Sequence, residues 1–255
     1  LERALFQAAR LHQLAEESQA RLVVIETKTD LRRYREARIE GRVEVAGILG
    51  VEGAHVLEGD LANLRRLFDA GVRIVAPTHF FDNAIGGSMH GVEKGGLSEL
   101  GRAMIREMET RGMLLDLAHA SSAVIEDALA LSTRPVIVSH TGVRGTCDNN
   151  RNLSDAQIQA IAATGGVIGI GYWDTAVCGD DATAIARAIV YTAEQVGAEH
   201  VALGSDFDGA VPVPFDTTGL ALIVDALIER GMGESDIRRV MGENAARVFA
   251  EVLPD

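Results

Sequence analysis

Two histidines each follow a short apolar run in the middle of the chain. His119 ends the segment MLLDLAH, and His140 ends the segment PVIVSH. Runs of this length and composition are typical of buried strands in a parallel sheet. In a parallel α/β barrel the C-terminal ends of the strands form the rim on which sites are built, so histidines that follow successive strands can converge. Converging imidazoles favour metal binding or proton transfer.

Three further polar residues follow β-rich segments: Glu52 ends VAGILGVE, His79 follows VRIVAPT, and Asp206 follows HVALGS. A carboxylate with two imidazoles suits zinc, so we predict Glu52, His119 and His140 as metal ligands. Each residue alone has an ordinary alternative. A rim histidine usually bonds a carboxylate or carbonyl, Glu52 could cap a helix or pair with an arginine, and Asp206 could form a turn. Their coincidence at strand ends favours a site.

Segments of helical periodicity alternate with these apolar segments, about 20 to 35 residues per unit, as in right-handed βαβ crossovers. Six predicted strands begin near the following residues: Val45, Val72, Met113, Pro135, Gly166 and Val201. A doubly wound open sheet would gather its site at one switch point, whereas a barrel gathers residues from every strand. We therefore predict a TIM-like (β/α)8 barrel, formed by residues 1–255 as a single domain, whose first two strands would lie before Leu1.

The segment FFDNAIGGSMHGVEKGG, residues 80–96, is long and rich in glycine. Long connections without regular structure are often functional, so we predict that it lies over the rim as a lid that faces the substrate. The four other histidines match no strand-end pattern and are predicted to be surface or loop residues: His12, His55, His90 and His200.

Composition excludes several classes of partner. The formal net charge is −13, and the sequence has no run rich in lysine and arginine, so we expect neither a nucleic-acid surface nor an anionic-membrane surface. No apolar run reaches the roughly 18 to 20 residues of a membrane span. Cys147 and Cys178 lie in different loops without CxxC spacing, and we predict free thiols. A cytoplasmic location is favoured, and any targeting segment would lie before Leu1.

The sequence resembles the membrane/renal dipeptidase family of zinc peptidases, a branch of the amidohydrolase-like barrels, over nearly its whole length. The motifs that carry this resemblance occur in the order of the family: GVEGAH (50–55), PTHFFDN (77–83), LLDLAHAS (114–121), VIVSHTGVR (136–144), RNLSD (151–155) and GSDFDG (204–209). The resemblance implies a metallo-dipeptidase that hydrolyses the peptide bond of small dipeptides with a metal-activated water.

The resemblance also implies two zinc ions in each active site. The glutamate that matches Glu52 bridges both ions in the family, and the histidines that match His119 and His140 bind one of them. A His-x-Asp pair on the first strand holds the other ion. None of the seven histidines here is followed two residues later by aspartate, so the ligands of this second ion are missing from the sequence.

Three further roles are implied at matching positions. His79 resembles the histidine that polarises the scissile carbonyl or stabilises the oxyanion. Arg151 resembles the arginine that holds the terminal carboxylate of the substrate, for which a guanidinium fork is suited; a surface salt bridge to Asp148 or Asp155 is the alternative. Asp206 resembles the aspartate that carries a proton from the attacking water to the leaving amine.

Two other functions stay open at this point. One is another metal-dependent amidohydrolase, acting on a small amide or lactam. The other is a non-catalytic or truncated member of the family, which the missing His-x-Asp pair suggests. The expected partners are a small dipeptide substrate and a second copy in a homodimer, as in many family members, with no nucleic acid and no membrane contact.

Overall fold

The computed structural model describes residues 1–255 and has an α/β architecture in which all strands pair in parallel. The strands are β1 (Leu22–Val24), β2 (Val45–Gly47), β3 (Leu49–Glu52), β4 (Val72–Ala76), β5 (Leu114–Leu115), β6 (Ile137–Thr141), β7 (Val167–Ile170) and β8 (Val201–Leu203). They form one two-stranded sheet, β1-β2, and two three-stranded sheets, β3-β4-β5 and β6-β7-β8. The predicted α/β class is confirmed.

Helices separate most of these strands. The α-helices are α1 (Glu2–Glu17), α2 (Lys28–Ile39), α3 (Ala62–Asp69), α4 (Glu99–Arg111), α5 (Ser122–Leu131), α6 (Asp155–Ala163), α7 (Asp174–Val177), α8 (Ala182–Val196), α9 (Leu220–Glu229), α10 (Glu234–Arg238) and α11 (Asn244–Val252). None of them combines the length and the apolar character that crossing a bilayer requires.

The structure has eight strands where the sequence predicts six. One additional strand is β1, which is only three residues long. The other arises because the apolar segment from Val45 is divided at Ile48, so that β2 pairs with β1 and β3 pairs with β4. Closure of the strands into a barrel, and further strands before Leu1, stay predictions.

The chain consists of two compact units. The first contains Leu1–Arg134 and Phe249–Asp255, and the second contains Pro135–Val248. In the first unit Glu52 pairs with Ala76, and Val75 pairs with Leu115, so β3, β4 and β5 end at the same edge of their sheet. In the second unit Ile170 of β7 pairs with Thr141 of β6 and with Leu203 of β8, and these three strands are aligned in the same way. That all 255 residues form a single domain stays a prediction.

The two cysteines form a disulfide, so the prediction of free thiols is wrong. Cys147 lies in the loop after β6, and Cys178 follows α7, beyond the end of β7. Because β6 and β7 are adjacent parallel strands, the segments that follow them are neighbours, and the Cα atoms of the two cysteines are 5.2 Å apart. This adjacency across 31 positions has no local sequence signal. Disulfides are typical of oxidising compartments, so the cysteines no longer support a cytoplasmic location.

Arg73, the second residue of β4, anchors this strand to its surroundings. Its side chain is 5% exposed and lies over the ring of Phe68, with 4.0 Å from Cζ to the ring centroid. The guanidinium donates to the carbonyl oxygens of Glu26, Phe68 and Val72 at 2.7 to 2.9 Å, and it pairs with Glu26 Oε2 at 3.0 Å. A buried cation is tolerated here because acceptors surround it.

Substitution of Arg73 by methionine should lower the free energy of unfolding by about 2 to 4 kcal/mol, because it removes a charged donor from a partly buried carboxylate and from three carbonyls. The matched control is Arg65→Met, since the Arg65 side chain is 71% exposed and pairs only loosely with Asp69, at 3.5 Å. The control should cost less than about 1 kcal/mol. Urea denaturation of both variants measures these values, and equal losses would contradict the anchoring role.

Candidate metal centre and substrate site

Three side chains of the first unit meet beyond the ends of β3, β4 and β5. Glu52 Oε1 is 3.0 Å from His119 Nε2, and Glu52 Oε2 is 3.4 Å from His79 Nε2. One ligand atom from each of the three residues lies within 4.8 Å of the others. A carboxylate and two imidazoles at these separations fit the donor set that zinc prefers. The structure therefore brings the two predicted ligands Glu52 and His119 together and adds His79, whose predicted role was to polarise a carbonyl.

Several residues at or next to the predicted site residues have a positive φ, a backbone conformation that residues other than glycine rarely adopt. Gly53, directly after Glu52, has a φ of +101°, where other residues are strained. His119 has a φ of +62° and Asp206 a φ of +56°. The left-handed region costs about 1 to 2 kcal/mol for a non-glycine residue, and it persists where the surrounding structure fixes it, often at functional sites.

The predicted lid, residues 80–96, forms hydrogen bonds with the backbone of His79 and His119. The Ser88 hydroxyl donates to the carbonyl of His79 and accepts from the backbone N–H of His90, at 3.1 Å from its nitrogen. The N–H of Met89 donates to the carbonyl of His119 at 2.9 Å. These hydrogen bonds couple the position of the 80–96 segment to the positions of His79 and His119.

Asp82 connects the beginning of the 80–96 segment to its middle and to its end. Its carboxylate accepts from the backbone N–H groups of Ser88 and Glu93, each at 2.8 Å. These hydrogen bonds stabilise the charged form and hold the pKa of Asp82 below its ordinary value. Gly91 packs so closely against this carboxylate that a Cβ atom there would overlap it.

Phe80 and His90 place aromatic surface beside the group. The Phe80 ring centroid is 4.1 Å from that of His79 and 5.5 Å from that of His119, and His90 is 5.3 Å from His119. Because His90 follows no strand, it was predicted to be a surface or loop residue. The structure brings it to the candidate ligands through the path of the 80–96 loop, which no sequence signal reveals.

In the second unit His140 and Arg151 are neighbours. The Ser139 hydroxyl lies 2.9 Å from His140 Nδ1, which fixes the orientation of the imidazole. Arg151 donates through Nη2 to the carbonyl of His140 at 2.8 Å and through Nη1 to the hydroxyl of Thr141 at 3.2 Å. Its Cζ atom is 5.5 Å from the ring centroid of Trp173, within the range of a cation–π contact. A guanidinium held in this way is oriented before any ligand binds.

Asp206 follows β8 in the same unit. The next residue, Phe207, packs edge-on against Tyr172, with ring centroids 5.6 Å apart. Tyr172 is completely buried, and burial raises the pKa of its hydroxyl. Of the six predicted site residues, the first unit groups Glu52, His79 and His119, and the second unit contains His140, Arg151 and Asp206.

A profile of the membrane dipeptidase family, peptidase family M19, matches residues 1–253. The chain belongs to this family. The resemblance predicted from the six motifs is thus confirmed.

Relatives of known name or structure are consistent with this assignment. Dipeptidase verJ of Clonostachys rogersoniana is 31% identical over 250 residues, which are 95% of this chain and 63% of the relative. A metallo peptidase from Rhodobacter sphaeroides, liganded with a phosphinate mimic of the dipeptide L-Ala-D-Ala, is 25% identical with a TM-score of 0.87, covering 96% of this chain and 73% of that one. An amidohydrolase from Pseudomonas aeruginosa is 25% identical with a TM-score of 0.84, covering 96% of this chain and 83% of that one.

The network around Asp82 predicts a pH-dependent contribution to stability. Because the folded-state pKa of Asp82 is depressed, its contribution is present above the ordinary carboxyl pKa of about 3.9 and is lost as the pH falls through the lower folded value. The Asp82→Asn variant should therefore unfold more easily than the wild type at pH 6, with a difference that narrows below about pH 4. Urea denaturation of both proteins across this range measures the difference, and a gap independent of pH would refute the assignment.

Proposed function

We propose that this protein is a zinc-dependent dipeptidase that hydrolyses the peptide bond of small dipeptides with a free terminal carboxylate. The observation that carries the proposal is the approach of Glu52 and His119 to 3.0 Å at the ends of two strands of one sheet, with His79 beside them. Family membership supports the reaction class. The dipeptide mimic bound by the Rhodobacter sphaeroides relative supports the substrate class.

In this proposal Glu52 and His119 hold the metal. His140 is the third ligand that the family resemblance implies, and the hydrogen bond at its Nδ1 is of the kind that orients a metal-binding imidazole. When bound, zinc lowers the pKa of coordinated water towards about 7 and polarises a carbonyl group. His79 directs its ring N–H at the carbonyl oxygen of the scissile bond, where negative charge develops in the transition state.

Arg151 and Asp206 complete the assignment. The planar guanidinium of Arg151 binds the terminal carboxylate of the substrate through two parallel hydrogen bonds. This recognition favours a dipeptide over a longer peptide, because the carboxylate must lie one residue beyond the bond that is cleaved. Asp206 accepts a proton from the attacking water and delivers it to the leaving amine. A second zinc ion, the homodimer and the alternative amide or lactam substrate stay predictions.

Substitution of the two histidines nearest Glu52 should have different effects on zinc content and on activity. His119→Ala should reduce bound zinc to a small fraction of the wild-type content and abolish hydrolysis of L-Ala-D-Ala, because it removes a ligand. His79→Ala should retain the zinc and lower kcat by about 10²- to 10³-fold, as loss of an oxyanion donor does. The control His12→Ala, which does not contact Glu52, His79 or His119, should change neither the zinc content nor kcat. Elemental analysis and steady-state kinetics measure both; full activity of His119→Ala would exclude it as a ligand.

Recognition of the carboxylate can be tested by comparing a dipeptide with its C-terminal amide. Arg151→Lys keeps the positive charge but loses the two-pronged geometry, so kcat/KM for the free dipeptide should fall by roughly 10- to 100-fold. The value for the amide should change little, and the preference for the free dipeptide should shrink. An equal fall for both substrates would show that Arg151 acts on folding or chemistry rather than on carboxylate binding. A parallel panel of cyclic amides tests the alternative substrate class.

A further inference from the structure

The short helix α7 ends in carbonyl groups that are satisfied from outside the helix. A helix of four residues satisfies few of its own carbonyls, and the unpaired ones need other donors. The carbonyl of Thr175 accepts from Asn149 Nδ2 at 2.7 Å, and that of Ala176 accepts from Asn152 Nδ2 at 3.0 Å. The carbonyl of Val177 accepts from Arg187. Two asparagines of the loop after β6 thus complete the end of α7.

Asn152 is the buried member of this pair. Its side chain is 2% exposed, and its amide also donates to the carbonyl of Cys147 at 2.7 Å, within its own loop. Gly142 lies so close to this side chain and to the carbonyl of Ala176 that a Cβ atom would overlap both. One amide group therefore connects two segments, the loop of residues 142–153 and the segment of residues 173–178. The Cys147–Cys178 disulfide joins the same two segments.

Both segments set the position of the Arg151 guanidinium. Arg151 directly precedes Asn152, and its backbone N–H donates to Asn149 Oδ1 at 2.9 Å. The indole that lies near the guanidinium belongs to Trp173, the N-cap residue directly before α7. A shift of α7 relative to the loop would therefore move the indole away from the guanidinium. It would also remove the support of the backbone that carries Arg151.

We propose that Asn152 is a positioning residue for Arg151, and that its amide, assisted by the disulfide, fixes the guanidinium in the orientation that binds the substrate carboxylate. The inference rests on the proposed function of Arg151. Asn152 does not touch the substrate in this scheme. It acts by holding the 142–153 loop against α7, so that recognition of the carboxylate requires no ordering of the loop on binding.

The first test uses fluorescence, since Trp173 is the single tryptophan of the chain and is 7% exposed. In the zinc-loaded protein Asn152→Ala should shift the emission of Trp173 to longer wavelength and increase its quenching by acrylamide. The matched control is Asn150→Ala, an exposed asparagine of the same loop, which should leave both signals at wild-type values. Unchanged emission and quenching in a folded Asn152→Ala protein would overturn the proposal.

The second test uses kinetics with L-Ala-D-Ala and its C-terminal amide. Asn152→Ala should raise KM for the free dipeptide by about tenfold or more, with kcat and zinc content within about threefold of wild type, as expected for a misplaced binding group. The preference for the free dipeptide over the amide should fall as it does in Arg151→Lys. Equal losses for both substrates, or a loss of zinc, would indicate a merely structural role and overturn the proposal.

Two further variants keep the test decisive if Asn152→Ala does not fold. Asn149→Ala removes the acceptor of the Arg151 N–H. The double variant Cys147→Ser with Cys178→Ser removes the covalent connection. Each should increase acrylamide quenching of Trp173 and lower the preference for the free dipeptide, as expected for Asn152→Ala. Wild-type protein that cleaves no dipeptide would refute the proposed function, while the Trp173 signals would still decide the connection between loop and helix. Dipeptide cleavage that depends on Arg151 but not on these residues would refute the inference alone.

Discussion

The parallel register of β3, β4 and β5 is the constraint on which the candidate metal group depends. Because Glu52 pairs with Ala76 and Val75 with Leu115, the three strands end together, and the segments that follow them leave the sheet at one edge. Glu52, His79 and His119 lie at these ends, zero, three and four residues beyond the last residues of their strands. A shift of one strand by one residue would turn its side chains to the other face of the sheet and separate the group.

Backbone hydrogen bonds then convert this alignment into a defined geometry. The 80–96 loop bonds to the carbonyls of His79 and His119, and Asp82 closes the loop on itself. In the second unit the carbonyl of His140 accepts directly from Arg151. In both units, the backbone of a candidate ligand is thus a partner of the loop beside it. The loops and the ligands form networks in which a change at one member affects the others.

The parts of the site that sequence could predict are those that follow a strand. The apolar runs before Glu52, His79 and His119 identify strand ends, and parallel strands share an edge, so the meeting of these residues follows from the pattern. His90 and the Cys147–Cys178 disulfide could not be predicted in this way. Both depend on the path of loops, which is set by side-chain to backbone hydrogen bonds between positions distant in sequence. The strand count was underestimated because β1 is only three residues long and because the apolar segment from Val45 forms two strands, β2 and β3, rather than one.

The completion of α7 by asparagines from another loop has a consequence for how these segments can change. The carbonyls of Thr175 and Ala176 accept from Asn149 and Asn152, so replacing the 142–153 loop alone with that of a homologous protein would remove both donors. Natural variation in these segments should then occur through paired replacement of residues 142–153 and 173–178. The same rule applies to laboratory redesign: a chimera that transfers both segments together retains the junction, and a chimera that transfers one does not.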